Sequence, residues 1–286
     1  MQARSKPTLE DLRVFKQTGK KFSVLTCYDA AVAGLMEQAG VEVLLVGDTA
    51  AEVVLGLPST RDISPDFLLA LTAAVRRGAP NSFVMADLPF ACRVEENPDA
   101  TVEWARRFHV EPGTDAVKIE VTGRDAALVE AATRRGVPVV AHLGLLPQHI
   151  DPQVGYRAQG RDAASAAQLI SDAKRLEEAG ACMLLLEAVA GEVAAEIASH
   201  TSLPVIGCVS GPGCDGTVVV LHDLLGLGMG HPPRGSKQYE NLAAILMRVF
   251  RSYVDDIHAG RFPTQADVPH MKAGELEKLH AVLGEA

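Results

Sequence analysis

Eight short apolar runs punctuate the chain, and segments with helical patterning separate most of them. The runs are FSVLTCYD (22–29), VEVLLVGD (41–48), SFVMADLPF (82–90), DAVKIE (115–120), VPVVAHLGL (137–145), CMLLLEAV (182–189), LPVIGC (203–208) and TVVVLHDLLGL (217–227). Each is apolar almost throughout rather than in alternation, as expected for parallel strands covered on both faces. SPDFLLALTAAVRRG opens with Ser64 as N-cap and Pro65 at the first helical position, and closes on Gly78. NPDATVEWARRFHVEPG repeats that logic with Asn97, Pro98 and Gly113, and the helical segments ending at Gly136 and Gly180 also stop just before a strand. Eight such units predict an α/β fold, a closed (β/α)8 barrel of the TIM type. Extra helices are expected near 8–18, 238–260 and 273–284. Only VSGPGCDG separates the last two runs, too little for a crossover helix, so the eighth unit is expected to be irregular or its last run helical. No linker or low-complexity tract interrupts the pattern, and residues 1–286 read as one domain.

The balance of 27 basic against 36 acidic residues, a net charge of −9, disfavours nucleic acid and anionic membrane as partners and suits an enzyme of small molecules. The basic pairs Arg76–Arg77, Arg106–Arg107 and Arg134–Arg135 fall near predicted helix ends, where they complement the helix dipole. Five cysteines show no C-x-x-C spacing, which points to a reducing, cytoplasmic setting. No run is long enough for a membrane span, and the first 21 residues lack the apolar stretch of a secretory signal.

In a barrel, the C-terminal strand ends share one rim, where barrel enzymes place their chemistry. The runs end on or near Asp29, Asp48, Asp87, Glu120, His142 and Glu187. One such aspartate commonly caps a helix, but carboxylates gathered from several strands repel one another unless a cation joins them. Oxygen ligands at Asp48 and Asp87, with Glu120 direct or through water, suit Mg2+ and leave positions for a chelating 2-oxo acid. Lys118, two residues before Glu120 and on the same side of its strand, would neutralise a substrate carboxylate or one of the acids. Glu187 follows MLLL, an apolar approach that favours a base, unless a basic partner pairs with it. His142 reads either as a supporting residue or as a satisfied interior histidine. SGPGCDG shares its composition with phosphate-binding turns and with many others. His222–Asp223 has no positioned nucleophile beside it.

VGDT, TAAVRRGAP, ADLPF, VKIE, HLGLLPQ, VGYRAQGR, LLLEAV and LHDLLGL stand in the order and near the spacing of the ketopantoate hydroxymethyltransferase family, which the chain resembles from about Lys21 to Phe262. KQYENL (237–242) is similar to the family's C-terminal segment. The resemblance implies a Mg2+-dependent barrel enzyme of pantothenate biosynthesis, usually a decamer. It would transfer a hydroxymethyl group from 5,10-methylenetetrahydrofolate to 3-methyl-2-oxobutanoate through a Mg-stabilised enolate, forming 2-dehydropantoate. It further implies Asp48 and Asp87 as metal ligands that also meet the substrate, with Glu120 supporting the metal. Thr49 would stand at a substrate-binding serine, Lys118 at the substrate-binding lysine and Glu187 at the base.

Four stretches depart from the family pattern. GLPSTRDIS stands for G-(H/Y)-x-S-T-L-P-V-T, and Ala70 and Leu71 replace a Tyr-His pair. CVSGPG stands for a segment with I-G-A-G, and PPRGSK for Pro-Arg/Lys-Phe-Val-Lys. Altered surroundings around a kept metal and base leave an alternative, a Mg-dependent C–C lyase or aldolase acting on another 2-oxo acid.

Overall fold

The computed structural model describes residues 5–150, 156–228 and 235–284. Helix α1 (Leu9–Thr18) leads into β1 (Phe22–Thr26), α2 (Ala30–Ala39), β2 (Val43–Val46), the short α3 (Ala50–Val53) and α4 (Pro65–Gly78). Then follow β3 (Phe83–Asp87), α5 (Pro98–Val110), β4 (Ala116–Glu120), α6 (Ala126–Arg134), β5 (Val139–Gly144) and α7 (Ala163–Glu178). The series ends with β6 (Met183–Glu187), α8 (Gly191–His200), β7 (Val205–Cys208), β8 (Gly216–Val219), α9 (Leu221–Leu225), α10 (Leu242–His258) and α11 (Glu275–Leu283). All eight strands are parallel and close in sequence order, β8 pairing back onto β1. The expected (β/α)8 barrel and the three appended helices are present.

Two compact units are distinguished, one of residues 1–224 and 228–238 and one of 225–227 and 239–286. The first holds the barrel. In the second, Asn241 caps α10 by accepting a hydrogen bond from the Ala244 N–H, and α11 follows.

The end of the barrel where strands begin is apolar and closed. Leu12 of α1 packs with Phe22, Val43, Phe83, Met85, Met183 and Ile206 in one buried cluster. Lys16 fastens α1 there, its Nζ 2.9 Å from Asp215 Oδ2 and 2.6 Å from the Ala198 carbonyl. The opposite end, where strands finish, is left for polar groups.

The eighth unit is irregular in the manner anticipated. No helix joins β7 to β8; residues 209–215 make the return, which suffices because both strands are only four residues long. Val209 (φ 52°) and Gly211 (φ 86°) take left-handed conformations to achieve it. The final run divides, its first part being β8 and its later part α9. Gly78 ends α4 as the sequence indicates, with Ala79 as the cap, and it also has a packing role. A Cβ there would meet the Ala30 backbone, with Cα at 2.7 Å, so glycine permits the close approach of α2 and α4.

Arg106–Arg107 and Arg134–Arg135 behave as solvated helix-end charges, whereas Arg76 is mostly buried, paired with Asp115 at 3.0 Å and donating to the Ser82 carbonyl at 2.8 Å. Arg106 pairs with Glu103, Arg107 with Glu111, Arg134 with Glu130, and Arg135 with Asp99. All five cysteines are free thiols. Among the described residues no helix is long and apolar enough to cross a membrane.

Candidate active site at the strand ends

Parallel register brings the sequence-predicted groups together. Asp87 on β3 is aligned with Lys118 on β4, Glu120 on β4 with His142 on β5, and Gly144 on β5 with Glu187 on β6. Asp48 lies two residues beyond β2, and its backbone N–H donates to Asp87 Oδ2 at 3.0 Å. The two carboxyl groups themselves come within hydrogen-bonding reach. Gly47 permits this turn, since a Cβ at that position would stand 2.7 Å from Thr49 Oγ1 and 3.6 Å from Asp87 Oδ2. Asp48, Asp87, Lys118, Glu120 and His142 are all buried.

Lys118 Nζ lies 2.8 Å from Asp87 Oδ1 and 3.2 Å from His142 Nδ1. An ammonium has no lone pair, so it donates and Nδ1 must accept. The imidazole proton therefore sits on Nε2, which faces Glu187 Oε2 at 3.3 Å without the alignment of a full hydrogen bond. A continuous row results, Asp87–Lys118–His142–Glu187. Glu187 is the one member that opens outward, its side chain 20% exposed.

Gln148 joins the acids on their other flank. Its Nε2 donates to Asp48 Oδ2 at 2.7 Å and to the Leu88 carbonyl at 3.1 Å, and its backbone N–H donates to Glu120 Oε2 at 3.0 Å. Reading the sequence assigned no role to this residue. The signal was present in HLGLLPQ, where a polar residue follows an apolar strand at a proline-led turn. Tyr28 was also missed; its hydroxyl is 2.7 Å from Thr49 Oγ1 and holds that side chain next to Asp48.

Burial governs the ionisation of these groups. Removal from water, reinforced by the neighbouring Asp87 charge, pushes Asp48 up to about 7, although Lys118 and Gln148 oppose the rise. Burial raises Glu120 to about 9, again against the pull of Lys118. Burial also works against the Lys118 ammonium, but Asp87, Asp48 and Glu120 together hold it above its ordinary range. His142 is depressed by burial and then by Lys118, so it is neutral at pH 7. Among the described residues three carboxyls thus share one cation, leaving two negative charges without a counter-charge when all are ionised.

Beside this cluster opens a cleft of about 530 Å3, lined by Glu52, residues 58–62, Phe90, Pro147, Ile150 and Tyr156. Pro147 of its lining directly precedes Gln148, which bonds Asp48 and Glu120, so the cleft adjoins the acid cluster.

Other expectations separate from the site. Asp29 does not belong to the acidic ring. β1 stops at Thr26, and the Asp29 side chain instead caps α2, accepting from the Val32 N–H at 2.8 Å. The SGPGCDG loop serves packing. Asp215 takes Lys16 and the Val205 N–H, and Gly213 stands where a Cβ would come 2.7 Å from that of Ala195. His222 leans on Tyr28, ring centroids 5.5 Å apart, and burial depresses its protonation. The departure PPRGSK begins in residues outside those described, as does the start of VGYRAQGR.

The fold is shared with enzymes of low sequence similarity. A phosphoenolpyruvate phosphomutase from Streptomyces platensis subsp. rosaceus superposes with a TM-score of 0.60 at 16% identity, covering 97% of this chain and 96% of that one. A 2,3-dimethylmalate lyase of the PEP mutase/isocitrate lyase superfamily gives 0.56 at 18% identity, with 97% and 98% covered. Sequence relatives are nearer. The 3-methyl-2-oxobutanoate hydroxymethyltransferase of Halalkalibacterium halodurans is 41% identical over 273 residues, covering 96% of this chain and 98% of the relative. That of Hyperthermus butylicus is 42% identical over 285 residues, covering 100% and 98%. Residues 6–265 match the sequence profile of ketopantoate hydroxymethyltransferase, and with these relatives that match shows that the chain belongs to the ketopantoate hydroxymethyltransferase family.

Proposed function

We propose that this protein transfers a hydroxymethyl group from 5,10-methylenetetrahydrofolate to 3-methyl-2-oxobutanoate, giving 2-dehydropantoate, with Mg2+ as cofactor. The observation that carries the reading is the uncompensated charge at Asp48, Asp87 and Glu120 beside a base facing outward. The donor set fits a hard divalent cation, since its neutralisation requires two positive charges and all ligand atoms are oxygens. Among the described residues no three His, Cys, Asp or Glu side chains converge as a ready-made ion site. Asp48 and Asp87 would therefore hold the ion directly and Glu120 through water, the sparse protein ligation usual for Mg2+. When bound there, the cation withdraws electron density from a chelated 2-oxo group and acidifies the neighbouring C–H.

The chain's own groups supply the rest. Lys118 and Thr49 offer donors to the keto acid carboxylate, Lys118 from inside the barrel and Thr49 from the turn fixed by Tyr28. Glu187 removes the C3 proton, and the neutral His142 donates toward its carboxylate and holds it in place. The electron pair left at C3 forms the bond to the donor's methylene carbon as one of its two carbon–nitrogen bonds breaks. Water displaces the second nitrogen, and the C3 proton and one from water end on the two nitrogens. Water supplies the hydroxyl and tetrahydrofolate departs. The proposal includes a cytoplasmic location and a homo-oligomer, both after the family.

Incubating the purified protein with Mg2+ and both substrates should yield 2-dehydropantoate; its absence with folded protein would refute the reading. Deuterium exchange at C3 across a panel of 2-oxo acids, without donor, separates this reaction from a lyase acting on another acid.

A further inference from the structure

The cleft beside the acids contains a residue that the core reaction leaves unused. Arg61 replaces the leucine of the family pattern G-(H/Y)-x-S-T-L-P-V-T, within a one-turn 3-10 segment, Thr60–Asp62, capped by the Ser59 hydroxyl. Its guanidinium lies 4.0 Å from the centre of the Phe90 ring. His149 meets the same ring edge-on at 6.1 Å. At that distance the guanidinium sits over the ring face in a cation–π contact, which uses none of its N–H donors in an ion pair. Among the described residues no acid is within ion-pair reach of it. It is the single cation among the described residues lining the cleft, whose other charged members are Glu52 and Asp62.

Charge decides what such an arginine is for. Both substrates of the reaction proposed above are anions, and the rim they approach is acidic. Lys118 can serve only the inner one, because it is buried and already shared between Asp87 and His142. A second anionic substrate gains from a second cation, farther out and on the wall of the same opening. The cleft, about 530 Å3, is within the usual range for a small-molecule subsite. Its lining passes into the site through the chain itself. Pro147 precedes Gln148, which bonds Asp48 and Glu120, and Phe90 lies two residues beyond Leu88, whose carbonyl accepts from Gln148.

We propose that this cleft receives the one-carbon donor and that Arg61 binds the carboxylates of its glutamyl tail, making Arg61 a specificity-determining residue of this chain. The inference rests on the hydroxymethyl-transfer reading for its ligand. The test replaces Arg61 with the family's residue, Arg61→Leu, and compares two donors, 5,10-methylenetetrahydrofolate and 5,10-methylenetetrahydropteroate, which lacks the glutamate. KM for the glutamate-bearing donor should rise about fivefold, as for a partly screened arginine–carboxylate pair, while KM for 3-methyl-2-oxobutanoate stays put. The pteroate donor should lose nothing. Equal weakening of both donors would overturn the proposal, since Arg61 would then act by packing on Phe90. An unchanged KM for the glutamate-bearing donor would overturn it as well. Equilibrium binding of tetrahydrofolate, which needs no turnover, keeps the two readings apart. Loss of that binding in Arg61→Leu supports the subsite even if no 2-dehydropantoate forms. Product formation with Arg61-independent binding supports the reaction and sinks the subsite.

Discussion

Replacing Gln148 with methionine tests how the acid cluster is kept ready for a cation. Methionine preserves most of the volume and removes the two bonds donated by Nε2, to Asp48 Oδ2 and to the Leu88 carbonyl. It costs nothing at Oε1, which is buried without a partner. The backbone donor to Glu120 is unaffected by the change. A hydrogen bond to a charged acceptor contributes about 1.5–3 kcal/mol, so Mg2+ affinity should fall roughly 10- to 100-fold, the range seen when residues supporting metal ligands are lost. The pH dependence is more discriminating. Gln148 lowers the Asp48 pKa, so without it Asp48 moves above its present value of about 7. A larger fraction is then protonated at neutral pH, and binding must expel that proton. Calorimetric titration with Mg2+ should show the deficit widest near pH 6–7 and narrower near pH 9, with more protons released per ion at neutral pH. A variant that binds Mg2+ like the parent at pH 7, or a deficit that grows with pH, would refute the argument.

Two further outcomes are expected. Glu187→Gln should still bind Mg2+ and 3-methyl-2-oxobutanoate while C3 deuterium exchange falls by a factor of about 10²–10⁴, and unchanged exchange removes Glu187 from the role of base. In metal-free protein, Asp48 and Glu120 have folded pKa values above their ordinary ones, so the stability they confer is full at about pH 4 and is lost as pH rises through about 7 and then 9. Thermal unfolding of chelator-treated protein should therefore show a falling Tm from pH 5 to 9, by an amount on the order of a few kcal/mol in stability. Saturating Mg2+ should flatten that fall, because a bound cation favours the ionised acids; a metal-free Tm that climbs over this interval contradicts the burial argument.

Much of the site was legible because a closed parallel barrel leaves little choice. Once eight strands share a direction, their last residues must meet at one rim, and Asp87, Lys118, Glu120, His142 and Glu187 follow from position alone. Asp29 misled because apolar character runs past the end of β1 to Tyr28. The hydrogen-bonded strand stops three residues before Asp29, and an aspartate ahead of AAVAGL is equally a helix cap. Gln148 and Tyr28 escaped for a different reason. Both lie in turns after strands, where no period links sequence to direction, and both are uncharged, so nothing in their own chemistry marks a role. Gly78 ends its helix as a punctuating glycine should, yet it also packs. Its missing Cβ matters for a contact with Ala30, 48 residues away in sequence, which no local pattern could disclose.

The two ends of the barrel divide stability from chemistry. At the strand starts, α1 seals an apolar cluster, and Lys16 and Asp215 form an ion pair that also satisfies a backbone carbonyl and the Val205 N–H. At the strand ends, the same barrel buries three carboxyls against one lysine and leaves Gln148 Oε1 without a donor. Folding alone would favour apolar side chains at Asp48 and Glu120, since an incompletely paired buried acid destabilises. On the reading proposed above, a divalent ion would match the two excess negative charges and give the remaining oxygens a partner. Strain of this kind is tolerable because the opposite end does not share it. A substitution that loosens α1, such as Leu12→Ala, would therefore lower stability without reaching the acids, whereas Asp48→Asn would ease the repulsion, raise metal-free stability and abolish metal-dependent activity.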